Sequence, residues 1–259
     1  MGRTKTKRNE GHYRRPLVSV ITVALNAERT VARTIESVLC QSYSKLEYIL
    51  VDGGSTDGTV AIAKEYESKF RGRMRLVSEK DKGIYDAMNK GIGMARGTIV
   101  GLINSDDWYE PDAIETIATA YQGHGDAVYY GILRVVENGK EVMLKLNNYQ
   151  FLHREVVGHP AYFLAKTIYQ EHGLYSLDYE IAADFELMMR LIRRKVPFIQ
   201  IDKVLANFSQ GGQSTSRLSK SIEEYLRIRC RYGYITQSEL RIRLIRLKIS
   251  RLLDISFKV

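Results

Sequence analysis

The sequence predicts an α/β fold in which helices flank a mainly parallel β-sheet. Strand-like and helix-like segments alternate at short intervals from Leu17 onward, which is the pattern of repeated β-α units. Four such units fit into about 110 residues, with short connections between them. Beyond Tyr121 the pattern changes, because Asn138-Gly139 separates two strand-like runs as a hairpin turn does. Antiparallel strands are therefore expected to extend a sheet that begins as a parallel one.

The four β-α units are recognised by their hydrophobic periodicity and by residues that favour helix boundaries. In the first helix-like segment, Val31, Ile35 and Val38 fall on one face, as in a helix that packs on a sheet. Pro111 opens the fourth helix, since proline is favoured in a first helical turn. The strand-like segments cover residues 17–25, 46–51, 73–78 and 98–103. The first three helix-like segments cover residues 30–41, 59–70 and 84–95.

The carboxyl-terminal half contains fewer and less regular segments. The strand-like runs 127–136 and 140–146 flank the hairpin turn. A helix is predicted over 179–194, a strand over 198–202, and mostly helical structure over 219–253. No internal repeat or low-complexity linker is present in the sequence. We therefore expect one domain followed by a C-terminal extension.

Composition excludes several classes of protein. The 259 residues are 44% hydrophobic and 27% charged, which suffices for a packed core and excludes a disordered chain. Cys40 and Cys230 are too few and too far apart for a disulfide framework or a thiolate zinc site. The longest nearly apolar run, 17–25, is far shorter than the roughly 20 residues of a membrane-spanning helix. We expect neither a membrane span nor a secretory signal.

The net charge of +9 is concentrated at the two ends of the sequence. Residues 1–15 carry six basic and one acidic side chain, and residues 217–259 carry eleven basic and four acidic side chains. The body between them is slightly acidic, whereas a nucleic-acid-binding protein would more often carry positive charge on a folded face. We therefore expect no nucleic-acid partner. Basic ends suit either an anionic membrane surface or simple solubility.

Polar residues follow the predicted strands at the edge where parallel sheets bind ligands. Asn26 and the segments 52–57, 80–86 and 104–107 fall at this edge. The turn after the first strand lacks the G-x-G-x-x-G pattern, which argues against an NAD or FAD enzyme. The glycine-rich turn at 53–58 lacks the Lys-Ser/Thr ending of a P-loop, and its polar side chains suit the cap of the second helix.

Asp106 and Asp107 are candidates for a metal site. Two adjacent carboxylates after a buried strand repel each other, and a cation bound through oxygen atoms would relieve that repulsion. No histidine or cysteine stands beside them, which favours magnesium or manganese over zinc. The alternative is an acidic helix start that interacts with the helix dipole. Taken singly, Asp184 suits a helix cap better than a catalyst, and His159 suits a structural role.

Taken together, these segments resemble family 2 glycosyltransferases, which have the GT-A fold with its Rossmann-like sheet. The resemblance is carried by the ordered succession of motifs, which is more specific than any single motif. The motifs are PLVSVITVALNAERT, LEYILVDGGSTDGT, GIYDAMNKGI, INSDDWYEPDA, HPAYF, IAADFELMMRL and GGQST. Several of them are most similar to bacterial exopolysaccharide transferases of the colanic-acid type. The resemblance covers residues 16–216, which are the expected GT-A domain. A basic disordered tail at 1–15 is expected before this domain, and a basic helical extension at 217–259 is expected after it.

The resemblance implies an inverting, hexosyltransferase-type reaction. A sugar would move from a UDP- or GDP-linked donor to a hydroxyl of a glycan or lipid-linked acceptor, in exopolysaccharide or cell-surface polysaccharide synthesis. Asp184 falls at the position of the catalytic base. Asp106 falls at the position of the ligand for a divalent metal, Mn or Mg, and Asp107 lies next to it. Gly53 stands where many relatives have the aspartate that contacts the base.

The resemblance also implies which residues contact the nucleotide-sugar. The expected donor contacts are Val23, Leu25, Asn26, Asp52, Asp86, Asn89, Asn104 and His159. Asn104 replaces the first aspartate of the family's metal motif. Lys82, His159 and Arg217 are candidate cations for the leaving diphosphate, and the GGQST segment at 211–215 is a candidate loop to close over the donor.

The C-terminal extension predicts a helix with two apolar stripes separated by basic residues. One stripe consists of Leu240, Leu244 and Leu247. The other consists of Ile242, Ile245, Ile249, Leu252 and Leu253. One stripe would pack on the domain and the other would meet a membrane or a partner. The alternative is a helix wedged into the protein, with arginine stems covering the apolar surface.

The expected localisation is cytoplasmic, at the inner face of the membrane if the second stripe binds lipid. An alternative function from another class is a catalytically silent protein of the same fold that binds sugar nucleotides or serves as a scaffold. The presence of both Asp106 and Asp184 argues against it, because a silent copy could lose either.

Overall fold

A computed structural model describes residues 15–146, 148–149, 158–210 and 218–252. The strands are β1 (Val18–Ala24), β2 (Leu46–Asp52), β3 (Met74–Ser78), β4 (Ile99–Asn104), β5 (Trp108–Tyr109), β6 (Val128–Glu137), β7 (Lys140–Lys145), β8 (Tyr162–Ala165) and β9 (Phe198–Ser209). The helices are α1 (Val31–Leu39), α2 (Thr59–Glu67), α3 (Ile84–Met94), α4 (Ala113–His124), α5 (Lys166–His172), α6 (Ala183–Arg193), α7 (Leu218–Arg231) and α8 (Gln237–Leu252). Short 3₁₀ turns cover Ser68–Phe70 and His159–Ala161.

The strands form one sheet in the order β3-β2-β1-β4-β8-β6-β9-β5, with β7 paired to β6. Its first part is parallel, because β1 pairs in parallel with β2 and β4, and β2 pairs in parallel with β3. Strands β1 and β2 are buried along their whole length, which explains their continuous apolar runs. The predicted α/β fold and its four β-α units are confirmed.

The second part of the sheet mixes strand directions. Strand β8 is antiparallel to both β4 and β6, and β9 is parallel to β6 but antiparallel to β5. Strands β6 and β7 form the predicted hairpin. Asn138 and Gly139 at its tip have φ values of 50° and 75°, as a two-residue turn between twisted strands requires.

Three details of this second part differ from the prediction. Strand β9 continues to Ser209 instead of ending at residue 202, because it gains two pairing partners, β6 and β5. Helix α6 begins at Ala183 instead of residue 179, because the residues before it are held as a loop. Strands β5 and β8 and helix α5 were not predicted, since elements this short show no clear period.

Helices cover both faces of the sheet and enclose two apolar cores. Helices α1, α2 and α4 pack on one face, with Val31, Ile35 and Val38 of α1 fully buried as predicted. Helices α3, α5 and α6 pack on the other face. This arrangement leaves the carboxyl ends of the parallel strands open between the two helical layers, where loops reach across the sheet edge.

The two C-terminal helices pack against each other. Leu240 and Leu247 of the first predicted stripe are buried against α7, the other helix of the C-terminal extension, and not against the sheet domain as expected. Leu252 and Leu253 lie outside the described side chains. The remaining members of the second stripe are exposed to 50%, 57% and 48%: Ile242, Ile245 and Ile249. Among the described helices, none combines the length and the hydropathy that crossing a bilayer requires.

Candidate active site

The carboxyl ends of three parallel strands meet at one edge of the sheet. The register places Asp52 of β2 opposite Ala24 of β1, and Asn104 of β4 opposite Val23 of β1. Three of the predicted donor-site residues, Val23, Asp52 and Asn104, are therefore brought together. The Val23 side chain is buried in the core, whereas the neighbouring Leu25 is 49% exposed at the start of the following loop.

The loop after β1 is joined to the loop after β2 by hydrogen bonds. Asn26 adopts a positive φ of 50°, which asparagine tolerates better than most residues. Its N–H donates to Ser55 Oγ at 2.8 Å, and its Oδ1 accepts from the Thr56 N–H at 2.9 Å. Asn26 therefore fixes the shape of the loop after β1, and its side-chain carbonyl is bonded to the loop after β2.

Asp52 is a fully buried carboxylate that organises the turn after β2. Its Oδ2 accepts from the N–H groups of Gly54 and Ser55, at 3.1 and 3.0 Å, and from Ser78 Oγ at 2.7 Å. Its Oδ1 accepts from the Ser55 hydroxyl. Asp52 therefore fixes the shape of the turn that follows β2.

Gly53 adjoins the carboxylate of Asp81. A Cβ atom at position 53 would lie 2.3 Å from Asp81 Oδ2, which is closer than non-bonded atoms approach. An aspartate at position 53 would therefore require Asp81 to move. Gly53 therefore gives the Asp81 carboxylate its present place beside the turn.

The turn between β4 and β5 carries the candidate metal ligands. Asp107 is fully buried; its Oδ1 accepts from the Ser209 N–H at 2.9 Å, and its Oδ2 has no partner among the described residues. The Oδ1 atom of Asn104 is also buried with no partner in the described part of the chain. Burial and the nearby charge of Asp106 raise the pKa of Asp107 well above its usual value. Burial also raises the pKa of Asp106.

These unpaired oxygens are what a hard divalent cation would use. Within the described residues no three His, Cys, Asp or Glu side chains come together as a complete metal cage. A cation at this turn would therefore take its further ligands from water and from the oxygens of a bound diphosphate, as magnesium and manganese commonly do. The residues present fit such a shared site and do not fit a closed structural one.

Helix α1 holds the turn between β4 and β5 in place through side chains that the sequence analysis missed. Arg33 Nη2 donates to the backbone oxygen of Asp106 at 2.6 Å, and its guanidinium lies 3.8 Å from the centre of the Trp108 ring. Thr34 Oγ1 donates to the backbone oxygen of Asp107 at 2.6 Å. The turn that carries both aspartates is thereby fixed to a rigid element.

The same helix continues to bind the chain beyond the turn. Ser37 Oγ accepts from the Tyr109 N–H at 3.2 Å, and Gln41 just after α1 donates to the Glu110 oxygen at 2.8 Å. Polar side chains at positions 33, 37 and 41 recur every four residues, beside the apolar face of the helix. That spacing was a signal in the sequence, but it does not reveal the segment about 70 positions away that those residues bind.

Asp184 lies in the first turn of α6 and is buried. Its Oδ1 accepts from the Phe185 N–H at 2.8 Å and from the Tyr85 hydroxyl at 3.3 Å. Burial raises the pKa of Asp184 to about 6. A carboxylate with a pKa near 6 is mostly ionised at neutral pH and is a stronger base than an exposed aspartate, which suits proton abstraction.

Helix α3 carries one residue that contacts Asp184 and two of the predicted donor contacts, Asp86 and Asn89. Tyr85 of this helix contacts Asp184, and the next residue, Asp86, accepts from the Lys82 N–H at 3.0 Å and pairs with Lys90. Asn89 exchanges two hydrogen bonds with the backbone of Tyr175, at 2.9 and 3.0 Å, so its side chain fastens α3 to the loop before α6. The Lys82 side chain is exposed at the start of the helix.

His159 differs from its predicted role as a cation. Its ring lies in the 3₁₀ turn before β8, and burial lowers the pKa of His159 to about 4. The ring is therefore neutral at pH 7, with a buried Nε2 that lacks a partner among the described residues. Arg217 and the predicted closing loop at 211–215 lie outside the described residues.

Comparison with known proteins identifies relatives. A model of Glycosyl transferase family 2 matches residues 19–196. The chain is 27% identical over 232 residues to a PGL/p-HBAD biosynthesis glycosyltransferase of Mycobacterium bovis, covering 84% of this chain and 87% of the relative. It is 33% identical over 210 residues to an uncharacterized glycosyltransferase of Mycobacterium tuberculosis, covering 78% of each. It is also 30% identical over 208 residues to the chondroitin synthase of Escherichia coli, covering 78% of this chain and 30% of the synthase.

Solved structures with the same fold include two bound to nucleotide-sugars. One is TarS 1–349 of S. aureus in complex with UDP-GlcNAc, with a TM-score of 0.67, 16% identity, and coverage of 86% of this chain and 69% of TarS 1–349. The other is the mannosyltransferase PcManGT of Pyrobaculum calidifontis in complex with GDP-Man and Mn²⁺, with a TM-score of 0.66 and 18% identity. That likeness covers 87% of this chain and 66% of the mannosyltransferase. At such identities the likeness establishes a common fold.

Proposed function

The chain belongs to glycosyl transferase family 2 and has the GT-A fold, and from this premise we propose that it is a metal-dependent, inverting glycosyltransferase. The observation that carries the proposal is the buried Asp184, whose pKa burial raises to about 6 and which contacts Tyr85 in the first turn of α3. A buried carboxylate with a raised pKa is useful for removing a proton in a one-step displacement, whereas a protein that only binds sugar nucleotides does not need one.

In the proposed reaction, Asp184 removes the proton from an acceptor hydroxyl. The acceptor oxygen forms a bond to the anomeric carbon while the bond between that carbon and the diphosphate oxygen of the donor breaks. Because attack and departure occur on opposite faces in one step, the configuration is inverted. The proton ends on Asp184 and passes to solvent, and the nucleoside diphosphate leaves with the electron pair.

The proposed metal site is the turn between β4 and β5. Asp106 would hold the cation, and the unpaired oxygens of Asn104 and Asp107 would add to its ligands. When bound, Mn²⁺ or Mg²⁺ supplies positive charge that neutralises the leaving diphosphate. Arg33 and Thr34 keep the turn in one conformation, so little rearrangement is needed when the donor arrives.

The proposed donor is a UDP- or GDP-linked sugar. Support comes from the related folds solved with UDP-GlcNAc and with GDP-Man, the second together with Mn²⁺. We propose that Leu25, Asn26 and Asp52 form the nucleotide rim, with Asp52 shaping the turn from within. Asp86, Asn89 and a neutral His159 complete the donor side, and a hydroxyl of a glycan in exopolysaccharide or other cell-surface polysaccharide synthesis would accept the sugar.

A thermal-shift screen tests donor binding directly. The protein is melted with UDP-, GDP- and dTDP-sugars, with and without Mn²⁺, next to an Asp106→Ala variant. The matched control is Asp112→Ala, which removes an exposed carboxylate of the same segment that pairs with Lys203. We expect one nucleotide to raise the melting temperature in the presence of Mn²⁺, and Asp106→Ala alone to lose that gain.

Three outcomes would contradict the proposed function or a part of it. A donor shift of the same size without metal would contradict metal dependence. A chain that binds no donor under any condition would instead fit the silent scaffold of the same fold. A shift that is retained while no nucleoside diphosphate is released, even with acceptor glycans present, would fit a sugar-nucleotide binding protein.

We further propose that α8 lies on an anionic membrane, where the chain would meet a lipid-linked acceptor. The exposed stripe of Ile242, Ile245 and Ile249 is accompanied by basic residues on the same helix, as in helices that bind the membrane interface. Those basic residues are Arg241, Arg243, Arg246 and Lys248. The site that would receive the acceptor lies on α6, which packs on the partner helix of α8.

Vesicle sedimentation tests the membrane proposal. The wild-type protein should sediment with vesicles that contain phosphatidylglycerol. A variant in which the three exposed isoleucines of α8 are replaced by serine should not. The matched control replaces three equally exposed apolar residues of β7 by serine: Val142, Met143 and Leu144. Equal loss of binding in both variants, or binding unchanged in the α8 variant, would overturn the proposal.

A further inference from the structure

Helix α7 lies outside the segment that matches the family model, yet it contacts the residues around Asp184. The match ends at residue 196, and α7 begins at Leu218. Glu224 of this helix accepts three hydrogen bonds from the loop before α6. Its Oε1 accepts from the Glu180 N–H at 3.0 Å, and its Oε2 accepts from the N–H groups of Ile181 and Ala182, both at 2.9 Å.

The three N–H groups belong to consecutive residues and lead directly into α6. The residue before the helix is Ala182, whose methyl group offers no acceptor for the N–H groups at a helix start. A carboxylate from another helix takes that place, and its negative charge also faces the positive end of the α6 dipole. Glu224 is 8% exposed, so the three bonds are shielded from water.

Further contacts fix α7 on both sides of Asp184. The ring of Tyr225 meets the ring of Phe185 edge to face, with centroids 5.0 Å apart. The next residue of α6, Glu186, accepts from the Tyr232 hydroxyl at 2.6 Å. Ile228 is fully buried against Ala182, Phe185 and Met189. The first turn of α6 is therefore packed against α7, and the loop before α6 is bonded to one side chain of α7, Glu224.

We propose that Glu224 is a positioning residue for Asp184, and that α7 completes the active site from outside the family domain. This inference rests on the proposed role of Asp184 as the base. Glu224 acts by fixing the backbone of residues 180–182, from which Asp184 is two residues away. Tyr85 also holds this loop, because its hydroxyl donates to the Ile181 oxygen at 2.5 Å and lies 3.3 Å from Asp184 Oδ1, so its one proton is shared between the two acceptors.

The negative charge of Glu224 also affects the pKa of Asp184. Burial is the main cause of the raised pKa of Asp184, and the negative charge of Glu224 raises that pKa further. The other titratable groups facing Asp184 are tyrosines from three elements and a loop, all with pKa values above the usual range: Tyr85, Tyr162, Tyr175 and Tyr225. Those hydroxyls stay protonated near neutral pH, so Glu224 is the neighbouring group whose charge can be removed by substitution.

The experiment compares Glu224→Gln with Glu223→Gln. Glutamine at 224 removes the charge and keeps one oxygen acceptor, whereas Glu223 is the adjacent residue on α7 and pairs with Arg227 on the helix surface. Release of nucleoside diphosphate is followed from low to high pH, and donor binding is measured by thermal shift. We expect Glu224→Gln to lower kcat by about 10-fold or more while the KM for the donor stays unchanged. The acid limb of its pH profile moves to lower pH, and Glu223→Gln behaves like the wild type.

Two results would overturn the inference. One is a pH profile and kcat for Glu224→Gln that equal those of the wild type. The other is a parallel loss of donor binding and melting temperature, which would show a structural defect of the whole chain. Glu224→Asp, which keeps the charge on a shorter stem, separates the two effects, because it should retain the position of the acid limb.

An Asp184→Asn variant distinguishes failure of this inference from failure of the proposed function. If Asp184→Asn keeps full activity, the proposed base is wrong and Glu224 has nothing to position. If Asp184→Asn is inactive and Glu224→Gln is normal, the proposed function survives and only the role of α7 is wrong.

Discussion

The buried carboxylates of the candidate site differ in how completely the surrounding residues bond to them in the parallel half of the sheet and beside its mixed half. Asp52, in the parallel half of the sheet, is completely buried and accepts four hydrogen bonds from its own turn and from β3. Asp107, beside the mixed half, has one paired oxygen and one unpaired oxygen. Asp184 is buried with a pKa raised to about 6.

The difference indicates how each carboxylate serves the protein. A buried carboxylate that receives a full set of donors stabilises the fold, because its desolvation is compensated by hydrogen bonds. A buried carboxylate with an unpaired oxygen or a raised pKa costs stability, and such a cost is expected where a cation or a proton will be bound. Asp52 thus holds its own turn in shape, whereas the unpaired oxygen of Asp107 and the raised pKa of Asp184 agree with the cation-binding and proton-accepting roles proposed for them.

The largest expected effect is on catalysis at Asp184. Asp184→Asn keeps the shape and the bond from Tyr85 but removes the base, so kcat should fall by about 1,000-fold. Donor binding in the thermal-shift screen should remain. The matched change Asp52→Asn should lower kcat far less, measured at a temperature where both variants are folded. Equal losses of kcat would erase the distinction between the two carboxylates.

The next effect is on stability at Asp52. Asp52→Ala leaves three donors of its own turn and the Ser78 hydroxyl of β3 without their acceptor, and it should lower the free energy of unfolding by about 3 kcal/mol. Urea unfolding followed by circular dichroism measures this change. A loss below about 1 kcal/mol would mean that water replaces the carboxylate freely and that the turn is less closed than the hydrogen bonds indicate.

A smaller effect of opposite sign is expected from Asp184→Asn on stability. The pKa of Asp184 is raised from about 3.8 in the unfolded chain to about 6 in the folded one, so ionisation of Asp184 opposes folding. This destabilisation is fully present above about pH 6 and disappears below about pH 4. The variant should therefore be more stable at pH 7 by on the order of 2 kcal/mol, and the gain should vanish at low pH. Thermal melts over this pH range measure it, and a gain that does not change with pH would contradict the assigned cause.

The smallest effect concerns the support of the metal turn by α1. Thr34→Val removes the hydroxyl that donates to the Asp107 oxygen, and it should lower stability by about 1 kcal/mol. It should also raise the Mn²⁺ concentration needed for the donor-induced melting shift. Thr34→Ser, which keeps the hydroxyl, serves as the control. If both variants need the same Mn²⁺ as the wild type, α1 does not order the metal turn.

The parallel half of the molecule was predictable because its signals are local. Each strand of the four β-α units is a buried apolar run, and each helix has a periodic face, as Val31, Ile35 and Val38 show for α1. Parallel pairing of neighbouring strands then suffices to predict that their carboxyl ends lie at the same edge of the sheet. The location of Val23, Asp52 and Asn104 at one edge follows from this rule alone.

The parts that could not be predicted depend on contacts between distant segments. Strand β8 has four residues and owes its place to antiparallel pairing with β4 and β6. The four hydrogen bonds that Asp52 accepts could not be predicted, because one of them comes from Ser78, 26 positions away. Arg33 and Glu224 were missed for the same reason, since the backbone groups they bind lie 73 and up to 44 positions away. His159 was read as a cation because burial, which keeps it neutral, appears only in the fold.

The most direct test of the central claim is the pH dependence of nucleoside diphosphate release from the donor that the screen identifies. It compares the wild type with Asp184→Asn between about pH 5 and pH 8. If Asp184 is the base, the wild-type rate rises with pH through an inflection near pH 6, and the variant shows neither the rate nor the inflection. A variant that retains the wild-type rate and the same inflection would contradict the claim.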